Sequence, residues 1–209
     1  MKKIISFTAA IILFTLLLCS CSAAMTEEEL KEIAGPLIEK SYEINEIYFG
    51  SGLPVDEEEL ALIGGESGVG EDEGEYDIKP VSFVPVKSDK YDSIQSLKDA
   101  ALEVYTESYL ETVFKFAFEG MTDEKGEILQ YARYIENFGG SVLQERADLE
   151  EESIVVGRVF DISTIRLKSA ARNYVYFTVE SYLDGKPEGT VELSIKDEGS
   201  GWRLDSPTY

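Results

Sequence analysis

The sequence has no histidine and only two cysteines, and these shortages exclude several kinds of chemistry. Histidine is the commonest general base and the commonest transition-metal ligand, so its absence removes the Ser-His and Cys-His nucleophile pairs. Cys19 and Cys21 stand at the end of an apolar N-terminal run, and no thiol follows them that could form a disulfide or a zinc site. We therefore expect a protein that is not an enzyme, with no catalytic residue, no metal and no cofactor.

Basic residues are also scarce, since 19 Lys and Arg stand against 41 Asp and Glu. Residues 1–20 contain two of the basic residues and no acidic one, so the rest of the chain carries 17 − 41 = −24 charges. A surface of this sign repels nucleic acid and anionic lipid head groups. It suits a basic partner, and the alternative that it serves only solubility stays open.

The N-terminus has the pattern of a bacterial lipoprotein signal. Lys2-Lys3 precedes an apolar run, Ile4–Leu18, that is shorter than the ~20 residues a membrane-spanning helix needs, and this is typical of a signal peptide. Within Leu18-Cys19-Ser20-Cys21, a leucine lies three positions before Cys21 and a small residue directly before it. We expect lipidation of Cys21.

These residues predict a signal peptide at 1–20 and a tether at 21–25. The domain would then lie at the outer face of the cell membrane, held there by its acyl chains alone. The alternative is an ordinary secretory signal that is cut near Ser22–Ala24.

Residues 26–78 are predicted to form a helix and an acidic loop. Thr26–Glu29 is a capping box, and apolar residues then recur at helical spacing to about Tyr48, with a kink or brief break expected at Gly35-Pro36. Asp56–Asp77 contains ten carboxylates and no basic residue. Its spacing does not follow a calcium-binding loop, so we favour a self-repelling loop.

Residues 79–209 have the pattern of an α+β domain. An edge strand is predicted at Lys79–Lys87, then a helix at Ser93–Tyr105 and a second helix that begins after Thr106. The remaining segments alternate as strands do, and no helical stretch separates them, so we expect an antiparallel sheet. The predicted strands are Tyr131–Glu136, Val142–Gln144, Ile154–Ile162, Ile165–Ala171, Asn173–Leu183, Thr190–Lys196 and Trp202–Asp205.

Two amphipathic helices followed by strands that close with Gly201-Trp202-Arg203 resemble the cystatin-like, or nuclear-transport-factor-two-like, secreted lipoproteins. Tyr105–Leu110, Phe118–Gly120 and Tyr131–Glu136 are similar to lipoproteins grouped with the IseA-type inhibitors of peptidoglycan DL-endopeptidases. The likeness spans roughly residues 91–209, and no inhibitory residue of that family is matched one to one. It implies helices packed on a curved antiparallel sheet, the cystatin-like cone, and inhibition or modulation of a cell-wall endopeptidase.

Four aromatic residues are the candidates for partner binding: Phe116, Tyr134, Tyr174 and Tyr176. Helical spacing places Phe114 and Phe118 on one face and points Phe116 away from it. Tyrosine offers a large contact area at low entropy cost, and surrounding carboxylates would steer a basic partner.

A small-ligand pocket, with isomerase-type chemistry as its less favoured form, is the competing prediction. It requires a desolvated carboxylate, for which Asp161 and Glu180 are the candidates, beside a tyrosine. A closed apolar cavity with an inward carboxylate would favour this alternative. An exposed acidic cleft or a protruding loop would favour protein binding, and a lipoprotein that only spaces other molecules from the membrane is a third alternative.

Overall fold

The computed structural model describes residues 25–59, 81–137, 142–148 and 157–209. The predicted signal peptide, Cys21, the tether before Met25 and residues 60–77 of the acidic loop lie outside these ranges. No helix within them is both long enough and apolar enough to cross a membrane. The described residues form an α+β structure, as the sequence predicts.

Helix α1 spans Glu27–Phe49 and begins as predicted. Thr26 Oγ1 accepts a hydrogen bond from the backbone N–H of Glu29 at 3.2 Å, and the Glu29 carboxylate accepts one from the N–H of Thr26 at 2.8 Å. This confirms the capping box. The predicted break at Gly35-Pro36 is wrong, because α1 is continuous through both residues. Burial of its apolar face outweighs the one backbone hydrogen bond that a proline removes.

Gly35 sets how closely α1 packs on the sheet. It is buried on the face of α1 that carries Leu30, Ala34 and Ile38, which have no exposed surface. A Cβ at Gly35 would lie 3.0 Å from Cγ2 of Ile162, which is tighter than ordinary packing. The glycine therefore lets the helix backbone approach the strand that carries Ile162.

Helices α2 (Ile94–Leu102) and α3 (Glu107–Phe118) follow. The side chain of Thr106 accepts a hydrogen bond from the N–H of Tyr109 at 3.2 Å, which confirms Thr106 as the N-cap of α3. Helix α2 ends earlier than the predicted Tyr105. The chain there bridges to Leu204, whose N–H donates to Val104 O and whose carbonyl accepts from Thr106 N, so these backbone groups are unavailable to a helix.

The described strands form three sheets, and every strand pair is antiparallel, as predicted. The strands are β1 Phe83–Pro85, β2 Met121–Thr122, β3 Ile128–Gln130, β4 Tyr134–Glu136, β5 Leu143–Arg146, β6 Arg158–Ala171, β7 Tyr174–Leu183, β8 Lys186–Asp197 and β9 Trp202–Leu204. Their orders in the three sheets are β6-β7-β8-β9, β1-β5-β4 and the hairpin β2-β3. Strand β1 lies at the edge of its sheet, as predicted for Lys79–Lys87, and Val84 is its buried residue.

Two strand boundaries differ from the prediction. The segments expected at Ile154–Ile162 and Ile165–Ala171 form the single strand β6, which holds its pairing through register shifts; residues 154–156 lie outside the described ranges. Strand β8 begins at Lys186, not Thr190, because Lys186 and Pro187 pair with the end of β7. The turn at Asp184-Gly185 is as predicted, with both residues at positive φ.

A buried polar cluster joins α1 to the segment after β9. Thr208 Oγ1 lies 2.7 Å from Ser41 Oγ and 2.7 Å from the Tyr105 hydroxyl, and it accepts a hydrogen bond from Asn45 Nδ2 at 2.8 Å. The Tyr105 hydroxyl donates to Asn45 Oδ1 at 2.8 Å. All four side chains are buried, and each has a partner, so the cluster fixes the C-terminal segment against the helix.

Candidate functional site

An exposed cleft of about 730 Å³ lies between α2, α3 and the turn after β8. We call it the acidic cleft, because glutamates outnumber lysines along it. Its charged residues are Lys98, Glu107, Glu111, Lys115, Glu119 and Glu198, and Leu102 and Phe114 contribute apolar surface.

Helical periodicity builds one wall of the acidic cleft. Glu107, Glu111, Lys115 and Glu119 follow each other at four-residue spacing, so they lie along one stripe of α3 and just beyond its end. All four are exposed. The charge of the cleft therefore follows from the sequence of α3, although the sequence does not show that α2 stands opposite.

Contacts hold the other charged residues of the cleft in place. Lys98 Nζ lies 5.6 Å from the ring centroid of Phe114 and 5.1 Å from that of Phe118, so this cation rests on aromatic faces. Glu198 accepts hydrogen bonds from Lys196 Nζ at 2.9 Å and from the N–H of Glu107 at 3.1 Å. The contact with Lys196 is the main cause that lowers the pKa of Glu198, which keeps its carboxylate charged.

A second cavity, of about 330 Å³, lies between the end of α1, the middle of α3 and the strands β3 to β5. We call it the arginine cavity, because Arg133 and Arg146 are its charged lining residues. Aromatic and aliphatic side chains form most of the remaining wall: Tyr48, Phe49, Val113, Phe116, Ala117, Tyr131 and Tyr209.

Arg133 also forms a buried ion pair that sequence analysis missed. Its Nε donates to Glu145 Oε1 at 2.9 Å and its Nη2 donates to Gly50 O at 2.8 Å. Glu145 Oε2 accepts from the N–H of Leu53 at 2.8 Å. Burial raises the pKa of Glu145, and the charge of Arg133 opposes that rise. Both carboxylate oxygens are engaged, so Glu145 connects the end of α1 to β5 and is not placed to move a proton.

The predicted partner-binding residues do not share one surface. Phe116 is 37% exposed and lines the arginine cavity, while Phe114 and Phe118 contact each other, which confirms the predicted faces of α3. Tyr134 has no exposed surface, and its hydroxyl donates to Ile47 O at 2.8 Å. The expectation that Tyr134 contacts a partner is therefore corrected, because the residue belongs to the core.

Tyr174 and Tyr176 lie together on β7, with ring centroids 4.9 Å apart. Tyr176 is 42% exposed, whereas Tyr174 is partly buried and its hydroxyl donates to Asp205 Oδ2 at 2.5 Å. Burial and this acceptor raise the pKa of Tyr174 to about 12. Neither tyrosine lines the acidic cleft or the arginine cavity.

The carboxylates proposed for isomerase-type chemistry are not desolvated. Asp161 and Glu180 face each other across β6 and β7, but Glu180 is exposed and Asp161 is only partly buried. Asp161 Oδ1 accepts hydrogen bonds from the N–H and the hydroxyl of Ser163. In the four described ranges, no cluster of three metal-ligating side chains occurs. Neither a protein-family model nor a curated protein matches this chain, so the candidate site rests on its own geometry.

Proposed function

We propose that this chain is a lipid-anchored, extracytoplasmic protein-binding module, and that the acidic cleft binds a basic segment of a cell-wall-associated protein. The observation that carries the proposal is that the cleft is exposed and is lined by four glutamates and by apolar side chains. An open cleft of this kind favours protein binding, whereas catalysis on a small ligand would favour a closed pocket. The lipid anchor and the location rest on the lipoprotein pattern at Cys21.

The most specific form of the proposal is an inhibitor or modulator of a peptidoglycan endopeptidase, acting by steric contact. The resemblance to the IseA-type inhibitors and the cystatin-like cone supports this form. The β2–β3 hairpin also supports it, because Leu129 in that hairpin is 61% exposed and offers an apolar contact to another protein.

Charge and shape have separate roles in this binding. A single exposed ion pair contributes about 0–1 kcal/mol, so no one glutamate of the cleft determines affinity. Together the glutamates raise the association rate of a basic partner, and salt weakens this effect because the screening length is about 8 Å at physiological ionic strength. Leu102 and Phe114 supply apolar area that salt does not weaken.

The test is binding to, and inhibition of, purified cell-wall endopeptidases by residues 22–209, which contain every described element, at low and moderate salt. Glu111→Lys reverses a charge in the middle of the acidic cleft. Glu32→Lys makes the same change at an exposed position on α1, outside the cleft. We expect Glu111→Lys to weaken binding about tenfold, a loss of about 1.4 kcal/mol, and Glu32→Lys to have less than about a third of that effect.

Two results would reject the proposal. Equal weakening by Glu111→Lys and Glu32→Lys would show that net charge, not the acidic cleft, attracts the partner. Failure to bind or inhibit any cell-wall endopeptidase at low salt would remove the proposed partner class.

A further inference from the structure

The arginine cavity has two basic side chains in its lining, although the protein is acidic. Its charged lining side chains are Arg133 and Arg146, and no side-chain carboxylate lines it. The two arginines are only 8% and 5% exposed, so their guanidinium groups are largely withdrawn from bulk water. The chain as a whole has 41 acidic and 19 basic residues, so a lining whose charged side chains are both basic contrasts with the overall composition.

Arg133 retains hydrogen-bonding capacity toward the cavity. Its Nε and Nη2 donate to Glu145 and Gly50, whereas its Nη1 has no hydrogen bond to any residue of the described ranges. Within those ranges, the inaccessible side-chain atoms that have neither a hydrogen bond nor an ion pair are the hydroxyls of Tyr48 and Tyr109. Nη1 of Arg133 is not one of them, so it keeps accessible surface, and the cavity is the space that Arg133 lines.

Arg146 adds charge and is held by other contacts. Its Nε lies 2.7 Å from Asp148 Oδ1, and its Nη1 donates to Tyr131 O at 3.3 Å. Asp148 is about half exposed, so solvent shares in its interaction with Arg146.

The walls of the cavity suit an apolar body. Phe49 packs against Tyr209, with ring centroids 4.1 Å apart, and Val113 and Phe116 of α3 are also lining residues. A volume of about 330 Å³ is at the lower end of the range for small-molecule pockets, which typically combine apolar walls with a few polar groups. The cavity therefore combines one free guanidinium N–H group with aromatic and aliphatic walls.

We propose that the arginine cavity binds a carboxylate attached to an aromatic or aliphatic body. The carboxylate accepts hydrogen bonds from Nη1 of Arg133, and the body packs against Phe49, Val113 and Phe116. Guanidinium–carboxylate contacts are among the stronger hydrogen bonds in proteins, and they strengthen where water is largely excluded. This site is distinct from the acidic cleft, so its failure would leave the proposed protein-binding function untouched.

The probe is 3-phenylpropanoate, titrated into isotope-labelled residues 22–209 and followed by the amide shifts of α3. Its neutral counterpart, 3-phenylpropanol, has the same body without the charge. We expect saturable binding of the acid near about 1 mM and at least about tenfold weaker binding of the alcohol. N-acetylated Gly-Phe, with either a free or an amidated C-terminus, distinguishes a peptide end from a free acid as the source of the carboxylate.

Gln130→Glu is the decisive variant, because Gln130 is exposed at the cavity and the change adds a negative charge there. Gln95→Glu makes the same change at an exposed position outside the cavity. Arg133 is left unchanged, since its loss would strand the buried Glu145. We expect Gln130→Glu to weaken the acid at least about fivefold and Gln95→Glu by less than about twofold.

Binding of the free acid alone, or of the peptide acid as well, supports the proposal and identifies the source. Equal affinity for acid and alcohol, equal effects of the two glutamate variants, or no saturable binding of either acid would overturn it.

Discussion

Arg133 and Glu145 stand apart from the other ion pairs of the described residues, because both partners are buried. Their side chains are 9% and 4% exposed, whereas each of the other pairs has a partner that is 25% exposed or more. Burying two charges costs desolvation energy, which their mutual attraction and further hydrogen bonds offset. Loss of one partner therefore has a different consequence here from loss at the surface.

We expect Glu145→Gln to lower the free energy of unfolding by about 3–5 kcal/mol, because Arg133 would remain buried without its counter-charge. Glu192→Gln removes the partner of Lys168 in an exposed pair and should cost less than about 1 kcal/mol. Urea denaturation of both variants measures the difference. Similar losses in the two variants would contradict the structural role assigned to the buried pair.

The sequence predicted the exposure or burial of some residues and not of others. The exposure of Phe116 follows from the helical period of α3, a local property, so it was predictable. Tyr134 lies in a three-residue strand, and its burial depends on a hydrogen bond to Ile47 in a distant helix. The same holds for Arg133 and Glu145, whose pairing requires β4 and β5 to be placed beside the end of α1.

Among the elements, the β2–β3 hairpin depends on a close contact at the end of α3. Gly120 has φ +75, and a Cβ there would overlap the carbonyl oxygen of Gln130. Gly126, in the turn of the same hairpin, has φ +84 but nothing near the position of a Cβ. The two glycines thus share a left-handed backbone and differ in the space around them.

This difference predicts unequal effects of the same substitution. Gly126→Ala should cost about 1–2 kcal/mol, the price of the left-handed conformation for a residue with a Cβ. Gly120→Ala should cost at least about 1 kcal/mol more, because the backbone of β3 must also move. Thermal unfolding of the two variants, with hydrogen exchange in the hairpin, makes the comparison. Equal costs would mean that the hairpin is not packed on α3 as described.

Elements with local signals were predictable, and those without them were not. The capping box at Thr26, the N-cap at Thr106 and the turn at Asp184-Gly185 each depend on neighbouring residues, and the structure confirms all three. Strands β2 and β3 are two and three residues long, and Ile128–Gln130 is exposed throughout. No alternation marks such short exposed strands, so the sequence did not predict this hairpin.

At the scale of the whole molecule, several tyrosine side chains are buried, and burial changes the pH at which they ionise. Burial raises the pKa of Tyr48, Tyr109 and Tyr134. It also raises the pKa of Tyr105 to about 12, although the hydrogen bonds in the cluster around Thr208 lower that pKa. An unfolded tyrosine ionises near pH 10. Between these values the unfolded chain loses protons that the folded protein keeps, so stability falls as the pH rises.

We expect the free energy of unfolding to be unaffected by these phenols below about pH 10 and to fall above it. Tyr105 alone should lower the free energy of unfolding by about 2 kcal/mol by about pH 12, because its pKa is about 12 in the folded protein and about 10 in an unfolded chain. Urea denaturation across this range measures the fall. Tyr105→Phe should reduce the loss by that amount, and an unchanged pH profile in the variant would contradict the prediction.

The cluster around Thr208 also has a consequence for synthesis. Asn45 and Thr208 are 163 positions apart, so a ribosome working at about 5–20 residues per second completes α1 roughly 8–30 s before it reaches Thr208. Until then, Ser41, Asn45 and Tyr105 lack the hydroxyl that joins them. The packing of α1 against the C-terminal segment therefore cannot be completed until Thr208 has been synthesised.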